Sequence, residues 1–453
     1  MNKNIKIVAA LMAVGLVSPM AYATNGMLME GYGPIATGMG GASMAYDNGT
    51  AGMANNPATL GLMADGNRLD LAVGLLQPEI TSKMTGMPDA KSTGTSYVMP
   101  AAGWVKKQNG LAYGVGVFAQ GGMGTEYKAT DWVSAGSGRP TRSEVGVGSL
   151  IVPVSYDVNP DLTVAGSADF VWSSMDLQMA APASQLGSMV TSASGPGAGA
   201  LTPFVGGANN VGYIGFSDDS AYTGAAKGNG FAGKLGATYK ISKTLTLGAT
   251  YHSKTAISDM TANSAQMVLI DNANSLGGGA GTQYTLNGKM TVKNFQFPET
   301  YGFGAAYQAT NDLMLAADWK HIGWKDAMKD FKMHFSSADN GGIEMDLAMP
   351  QNWQDQDVIA LGAALQTTKE LVLRVGANIA SNPVPDSTVN PLFPATIKSS
   401  YTLGAGYAFN KVSSVNVSLV YAPVSSVTAP AASGGYTIDH SQTNWQFMYS
   451  HSL

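Results

Sequence analysis

The chain has 453 residues and a formal net charge of −5, and Asp, Glu, Lys and Arg make up only 12% of its positions. A soluble domain averages about 25% charged residues, yet the mean hydropathy is just +0.02, so apolar and small polar residues are interleaved and not blocked together. Sparse, unclustered basic residues exclude nucleic acid as a partner, and the lack of cysteine excludes a disulfide framework and thiolate chemistry.

In chain order, the first element is a secretion signal. Lys3 and Lys6 give a basic start, 7–17 is apolar, and Ala21-Tyr22-Ala23 supplies the small-residue cleavage pattern. This predicts a signal peptide at 1–23 and Thr24 as the mature N-terminus; the apolar stretch falls short of the about 20 residues that a membrane span needs. Residues 24–66 follow, rich in Gly, Ala, Met and Asn and without strand periodicity. From 67 onward the pattern has period two. Leu69, Leu71, Val73 and Leu75 alternate with Asp70, Ala72 and Gly74, and the rhythm returns in Leu245, Leu247, Ala249 and Tyr251 and in Tyr401, Leu403, Ala405, Tyr407 and Phe409. Short polar turns separate neighbours, among them Asn159-Pro160-Asp161, 241–244, 309–312, 367–370 and 410–413.

The spacing predicts fourteen strands, at 68–83, 95–107, 111–127, 142–158, 161–178, 229–241, 244–258, 286–308, 312–336, 353–367, 370–382, 398–410, 412–427 and 437–453. The long connections at 179–228, 259–285, 337–352, 383–397 and 428–436 then all fall on one side, the extracellular one. The last strand alternates Trp445, Phe447, Tyr449, His451 and Leu453 with Gln446, Ser450 and Ser452, although a terminal aromatic is the usual assembly signal where this chain has Leu453. In lipid only a helix or a closed sheet satisfies every backbone hydrogen bond, so an exported chain with such a strand is most simply an outer-membrane β-barrel.

The expected fold is therefore all-β: a 14-stranded antiparallel transmembrane β-barrel, 67–453, with 24–66 as an N-terminal hatch (plug) inside the lumen. Such a lumen lies between the filled interior of eight strands and the open channel of sixteen to eighteen. The hatch is the segment placed to fill it. The inward positions include Thr246, Gly248, Thr250, Gly302, Gly304, Met314, Gly362, Gly404 and Gly406, with few charges (Asp169, Lys234, Asp318, Lys320, Arg374), which argues against an ion-selective pore.

The hatch carries a resemblance. Gly38-Met39-Gly40-Gly41-Ala42, then Asp47 and Asn48, then Asn55-Asn56-Pro57-Ala58, resembles the N-terminal hatch of the long-chain fatty acid transporter (FadL) family, whose hydrocarbon-carrying branch is TodX-like. Gly124-Thr125-Glu126-Tyr127, Asn352-Trp353 with Asp355, and Asn382-Pro383-Val384-Pro385-Asp386 extend the likeness along the mature chain. The resemblance implies passive uptake of hydrophobic compounds, fatty acids or hydrocarbons, through the outer membrane of a Gram-negative cell by a monomer without cofactor or metal. It implies hatch residues Asn56, Pro57 and Ala58, and lateral exit at a kinked third strand, for which Gln120, Gly121 and Gly122 are the candidates because glycines inside a strand mark bulges.

Capture is expected in the long connection 179–228, which holds Leu186, Met189, Val190, Phe204 and Val205, and in the next, which holds Met267, Leu269 and Ile270. Exposed apolar loops either bind something or pack on one another as a lid. The family's basic head-group residues would correspond to Lys325, Lys329 and Lys332, since 173–179 contains Asp176 and no basic residue. That favours a neutral hydrocarbon over a fatty acid, with the lysines as solvated strand ends in the plainer reading. Five scattered histidines and the lack of a hydrolase or dinucleotide motif argue against an enzyme. A general diffusion porin, a surface adhesin and a barrel phospholipase are the alternatives.

Overall fold

The computed structural model describes residues 25–220 and 223–452. The expected signal peptide, Thr24 and the terminal Leu453 lie outside the described residues. No helix among the described residues is long and apolar enough to cross a membrane.

The chain forms a closed antiparallel barrel. Gly66–Lys83 pairs with Tyr97–Gln108, and the ladder continues through Leu111–Tyr127, Thr141–Asp157, Leu162–Pro182, Ala226–Lys240 and Leu245–His252. It goes on through Thr300–Gln308, Leu313–Ile322, Gln356–Gln366, Leu371–Ala380, Ser399–Ala408, Ser413–Thr428 and Thr437–Ser452. The last strand then pairs with the first, from Arg68↔Ser452 to Lys83↔Thr437, and no edge is left open there.

Alternation sorts the wall as the sequence expects. Leu71, Val73, Trp445 and Phe447 are exposed on the outside, while Asp70, Asn444 and Met448 are buried inside. The tight turns are set by side chains: Asn159 Oδ1 accepts from the Asp161 and Leu162 amides, and Asn410 Oδ1 from those of Val412 and Ser413.

Two long strands are corrected. The expected strand 286–308 divides into Thr282–Lys293 and Thr300–Gln308, because Asn294 takes a positive φ of 53° and Pro298 offers no amide to a ladder. The expected 312–336 ends at Ile322, where a helical turn Trp324–Ala327 leads into a separate strand, Asp330–Ser337. The connections 179–228, 259–285 and 337–352 also fold as β-structure: Val211–Phe216 pairs with Met260–Asp271, and Ile343–Pro350 pairs with Val190–Ser194 and Asp330–Ser337. Apolar connections bury their backbone, and pairing is how that backbone meets its hydrogen-bond demand.

Residues 25–63 are almost entirely buried within the ring. Their short helices are locally specified. Pro34 and Pro57 open Pro34–Thr37 and Pro57–Leu62, where the missing amide costs nothing, and Asn56 Oδ1 caps the second by accepting from Ala58 N at 3.1 Å. Facing them, the wall is glycine. A Cβ at Gly362 would sit 2.6 Å from the Met39 carbonyl oxygen, and one at Gly404 would sit 3.0 Å from Gly38 Cα, so the small inward residues are what lets the segment approach.

Candidate functional site

The inner segment is held by wall side chains reaching its backbone. Asp318 Oδ2 accepts from the amides of Ser43 (2.6 Å) and Met44 (3.1 Å), and Asp70 Oδ2 from that of Thr50 (2.7 Å). Gly40 donates to Thr402 Oγ1 at 2.9 Å and accepts from Asn378 Nδ2 at 3.0 Å, while Arg68 clamps Asp47 with two bonds of 2.7 and 2.9 Å. Asn56 Nδ2 donates to Met44 O at 2.7 Å, tying the Asn56-Pro57 turn to the middle of the segment. Part of the inward charge is paired: Lys234 is ion-paired with buried Asp169, and Lys320 Nζ donates to the Glu30 carbonyl at 3.1 Å. Asp318→Ala strips two amides of their acceptor. Hydrogen exchange at Ser43 and Met44 should accelerate by roughly ten- to a hundredfold, the equivalent of about 1.4–2.8 kcal/mol, while Thr50, held by Asp70, keeps its protection.

The pairing of the second and third strands of the wall stops partway. Tyr97–Gln108 and Leu111–Tyr127 pair from Gln108↔Leu111 up to Ala101↔Phe118 and stop. Beyond that point Tyr97 to Pro100 pair with the first strand, and Gly121 to Tyr127 with Thr141–Asp157. The cause is local. Pro100 brings no amide, and Gln120 is an extra residue between Ala119↔Gly148 and Gly121↔Val147, so the strand bends away. Its freed groups find other partners: the Gln120 carbonyl accepts from Tyr32 Oη at 2.8 Å, and Gly122 N donates to Met27 O at 3.1 Å. A Cβ at Gly121 would collide with that Met27 carbonyl, so glycine is what admits the inner segment here.

A cavity of about 700 Å³ opens at this interruption. Met27, Ile80, Val145 and His440 line it from the inside, and Val98, Val117, Phe170 and Trp172, which are exposed on the outer surface, line its other end. It therefore runs from the lumen through the wall to the surface that faces lipid. Its volume lies within the range of about 300–1,000 Å³ typical of small-molecule sites.

Of the residues singled out in the sequence, the structure brings Gln120, Gly121 and Gly122 to this interruption and Asn56, Pro57 and Ala58 to the buried inner segment. The capture set is elsewhere. Leu186, Phe204, Met267 and Leu269 are buried in one apolar cluster with Met189, Val190 and Val205 packed against it, and Ile270 joins Val268, Val211 and Tyr213 in another. None of them is among the described residues lining the cavity; those of the first cluster share it with the cavity liners Met27, Ile80 and Val145. Lys325, Lys329 and Lys332 are all exposed, whereas the intervening Trp324, Met328 and Phe331 are buried. Their segment turns its apolar residues inward and its charges out. Arg142, the base next to Asp176, is held by Glu144 at 2.6 Å. Missing from the sequence reading are His440 and Gln442, whose inward side follows from the alternation of the last strand.

A barrel whose lumen is filled by its own N-terminal segment, with an apolar passage through its wall, can be compared with known proteins. The family described as outer membrane protein transport protein (OMPP1/FadL/TodX) matches residues 15–452. The chain belongs to this family. Its members are transport proteins of the outer membrane and not enzymes. Among solved structures, the Pseudomonas putida toluene transporter TodX is 31% identical, with 94% of this chain and 99% of that one covered and a TM-score of 0.83. The Ralstonia pickettii toluene transporter TbuX is 29% identical over 94% and 99% of the two chains, with a TM-score of 0.75. A Pseudomonas aeruginosa FadL homologue shares the fold at 16% identity and a TM-score of 0.69, with 94% and 99% covered. A curated Chlorobium limicola relative, an uncharacterized protein encoded in the 5′ region of the phosphoenolpyruvate carboxykinase gene, is 43% identical over 83 residues. That match spans 18% of this chain and 40% of the relative.

Proposed function

We infer that the protein admits small neutral hydrophobic molecules, with monoaromatic hydrocarbons foremost, through the outer membrane of a Gram-negative cell by passive diffusion. The single observation that carries this reading is the apolar cavity at the interrupted ladder, which links the lumen to the lipid-facing surface. A ligand taking that route leaves sideways into the bilayer and never enters the aqueous periplasm. In this reading the wall consists of fourteen strands, those of the ring, with the remaining strands forming an extracellular extension, and 24–66 acts as a hatch. The closing pairing of the last strand with the first and the wall-to-segment hydrogen bonds support it. Neutral ligands are favoured over fatty acids because the lysines at 325, 329 and 332 are exposed, Arg142 is committed to Glu144, and Lys227 on the cavity's lining is exposed and lies 3.6 Å from Asp218, so a buried carboxylate meets no buried lysine or arginine there and would be costly to leave unpaired.

Two measurements test it. Proteoliposomes should take up toluene yet exclude sucrose in a swelling assay; rapid sucrose entry would make the protein a porin. Replacing Lys325, Lys329 and Lys332 together by Met should leave toluene affinity within about twofold, since exposed charges contribute little. A tenfold loss, or a strong wild-type preference for a fatty acid that vanishes in the triple variant, would restore those lysines as the ligand site.

A further inference from the structure

His440 stands on the inward side of the last strand, opposite Ile80 on the first strand, and is only 5% exposed. Its Nδ1 lies 2.8 Å from the Pro394 carbonyl oxygen. A carbonyl can only accept, so Nδ1 carries the proton, and the neutral ring then presents a bare lone pair at Nε2. That Nε2 is buried and has no hydrogen-bond partner. The ring lines the cavity beside Gln442, whose own Nε2 is already given to Asn444 Oδ1 at 2.8 Å. In a chamber that is mainly apolar but also lined by Glu144, Lys227, Asn229 and the unpartnered Ser173 hydroxyl, His440 Nε2 is a buried nitrogen acceptor with an empty place, an arrangement that costs free energy until a donor arrives.

We propose that His440 is a specificity-determining acceptor, and that within the hydrophobic class the cavity selects molecules carrying one O–H or N–H donor, such as phenols, anilines and alcohols. The inference rests on the reading that this cavity holds the transported ligand. A hydrocarbon occupies the cavity and leaves Nε2 unpaired; a phenol at the inner end donates to Nε2, with its ring against Ile80 and Val145. Discrimination then comes from satisfying a buried polar group, which separates analogues more sharply than apolar contact does.

The test is calorimetric titration of the full-length protein in detergent with toluene, p-cresol and 4-methylanisole. The first two differ by one hydroxyl, and the third keeps the oxygen but has lost its proton. In an acceptor-free pocket the more hydrophobic ether would bind more tightly than the phenol. The wild type should instead prefer p-cresol to 4-methylanisole. In His440→Phe the affinity for p-cresol relative to toluene should fall about tenfold. His440→Gln, which retains an acceptor, should recover most of the difference. A merely structural role would weaken both ligands together, and that result would overturn the proposal, as would a wild type that prefers the ether. Should His440→Phe not assemble, the wild-type comparison of phenol and ether still decides. If no ligand binds the wild type at all, the transport reading falls and takes this inference with it; if toluene binds and the p-cresol ratio ignores residue 440, the inference falls alone.

Discussion

Deletion of Gln120 is expected to abolish uptake while the barrel still folds. Gln120 is the residue by which Leu111–Tyr127 falls out of step with Thr141–Asp157: the partners run Ala119↔Gly148, then Gly121↔Val147. Without it, Gly121 would follow Ala119 in continuous register and the bend would have no cause. The straightened strand would lie beside Tyr97 to Pro100, which now pair with the first strand on their other side, and the outer mouth between Val98 and Val117 would close. Lost with the residue are the Tyr32 contact at 2.8 Å and the Gln120 Nε2 bond to Ser149 Oγ at 2.8 Å, neither of which holds the barrel wall together. Uptake of labelled toluene by cells should therefore drop by roughly tenfold or more once the bulge is gone. Heat-modifiable migration in gels reports whether the barrel has formed. Normal uptake by a folded variant would mean that the ligand passes the inner segment directly, and the lateral route would have to be abandoned.

How far the sequence reveals this arrangement depends on which physical signal each part leaves. The wall is legible because lipid outside and a filled lumen inside impose strict alternation, and Leu71 or Phe447 against Asp70 or Met448 shows it residue by residue. The inner segment is legible for a different reason: Asn56-Pro57-Ala58 encodes a capped turn, and wall glycines such as Gly362 and Gly404 have no use in a strand except close approach. Gln120 to Gly122 are legible as a bulge, but the end of pairing at Ala101↔Phe118 is a relation between two strands that neither one spells out.

The extracellular extension is where alternation misleads. Met267 and Leu269 face one apolar cluster while Val268 and Ile270 face another, so a strand buried on both sides reads as an unstructured apolar run. The lysines show a second effect. Lys325, Lys329 and Lys332 lie close together in the sequence, yet a helical turn followed by a strand presents all three to solvent and buries Trp324, Met328 and Phe331 between them. His440 was visible as an inward position of the last strand, but what makes it chemically distinct is a carbonyl at Pro394, 46 residues away. Sequence separation of that kind leaves no local trace.

Removing 27–48 is expected to turn a closed barrel into a conducting one. The deleted stretch carries the Ser43 and Met44 amides held by Asp318, the Gly40 contacts to Thr402 and Asn378, and the Asp47 carboxylate clamped by Arg68. It leaves the wall pairings, including the closing ladder from Arg68↔Ser452 to Lys83↔Thr437, without a missing partner. With the segment gone, the inward glycines face open space, and a lumen of fourteen strands, as proposed above, would lie between the filled and the channel-forming barrels in width. Single-channel conductance in planar bilayers should rise by about tenfold or more over the intact protein on that comparison of strand number with lumen size. Asp318, Lys320 and Arg68 would then stand exposed to water, so the new current should depend on the charge of the ion. A folded deletion variant that conducts no better than wild type would show that the extracellular extension closes the passage by itself, and 24–66 would lose its role as a hatch.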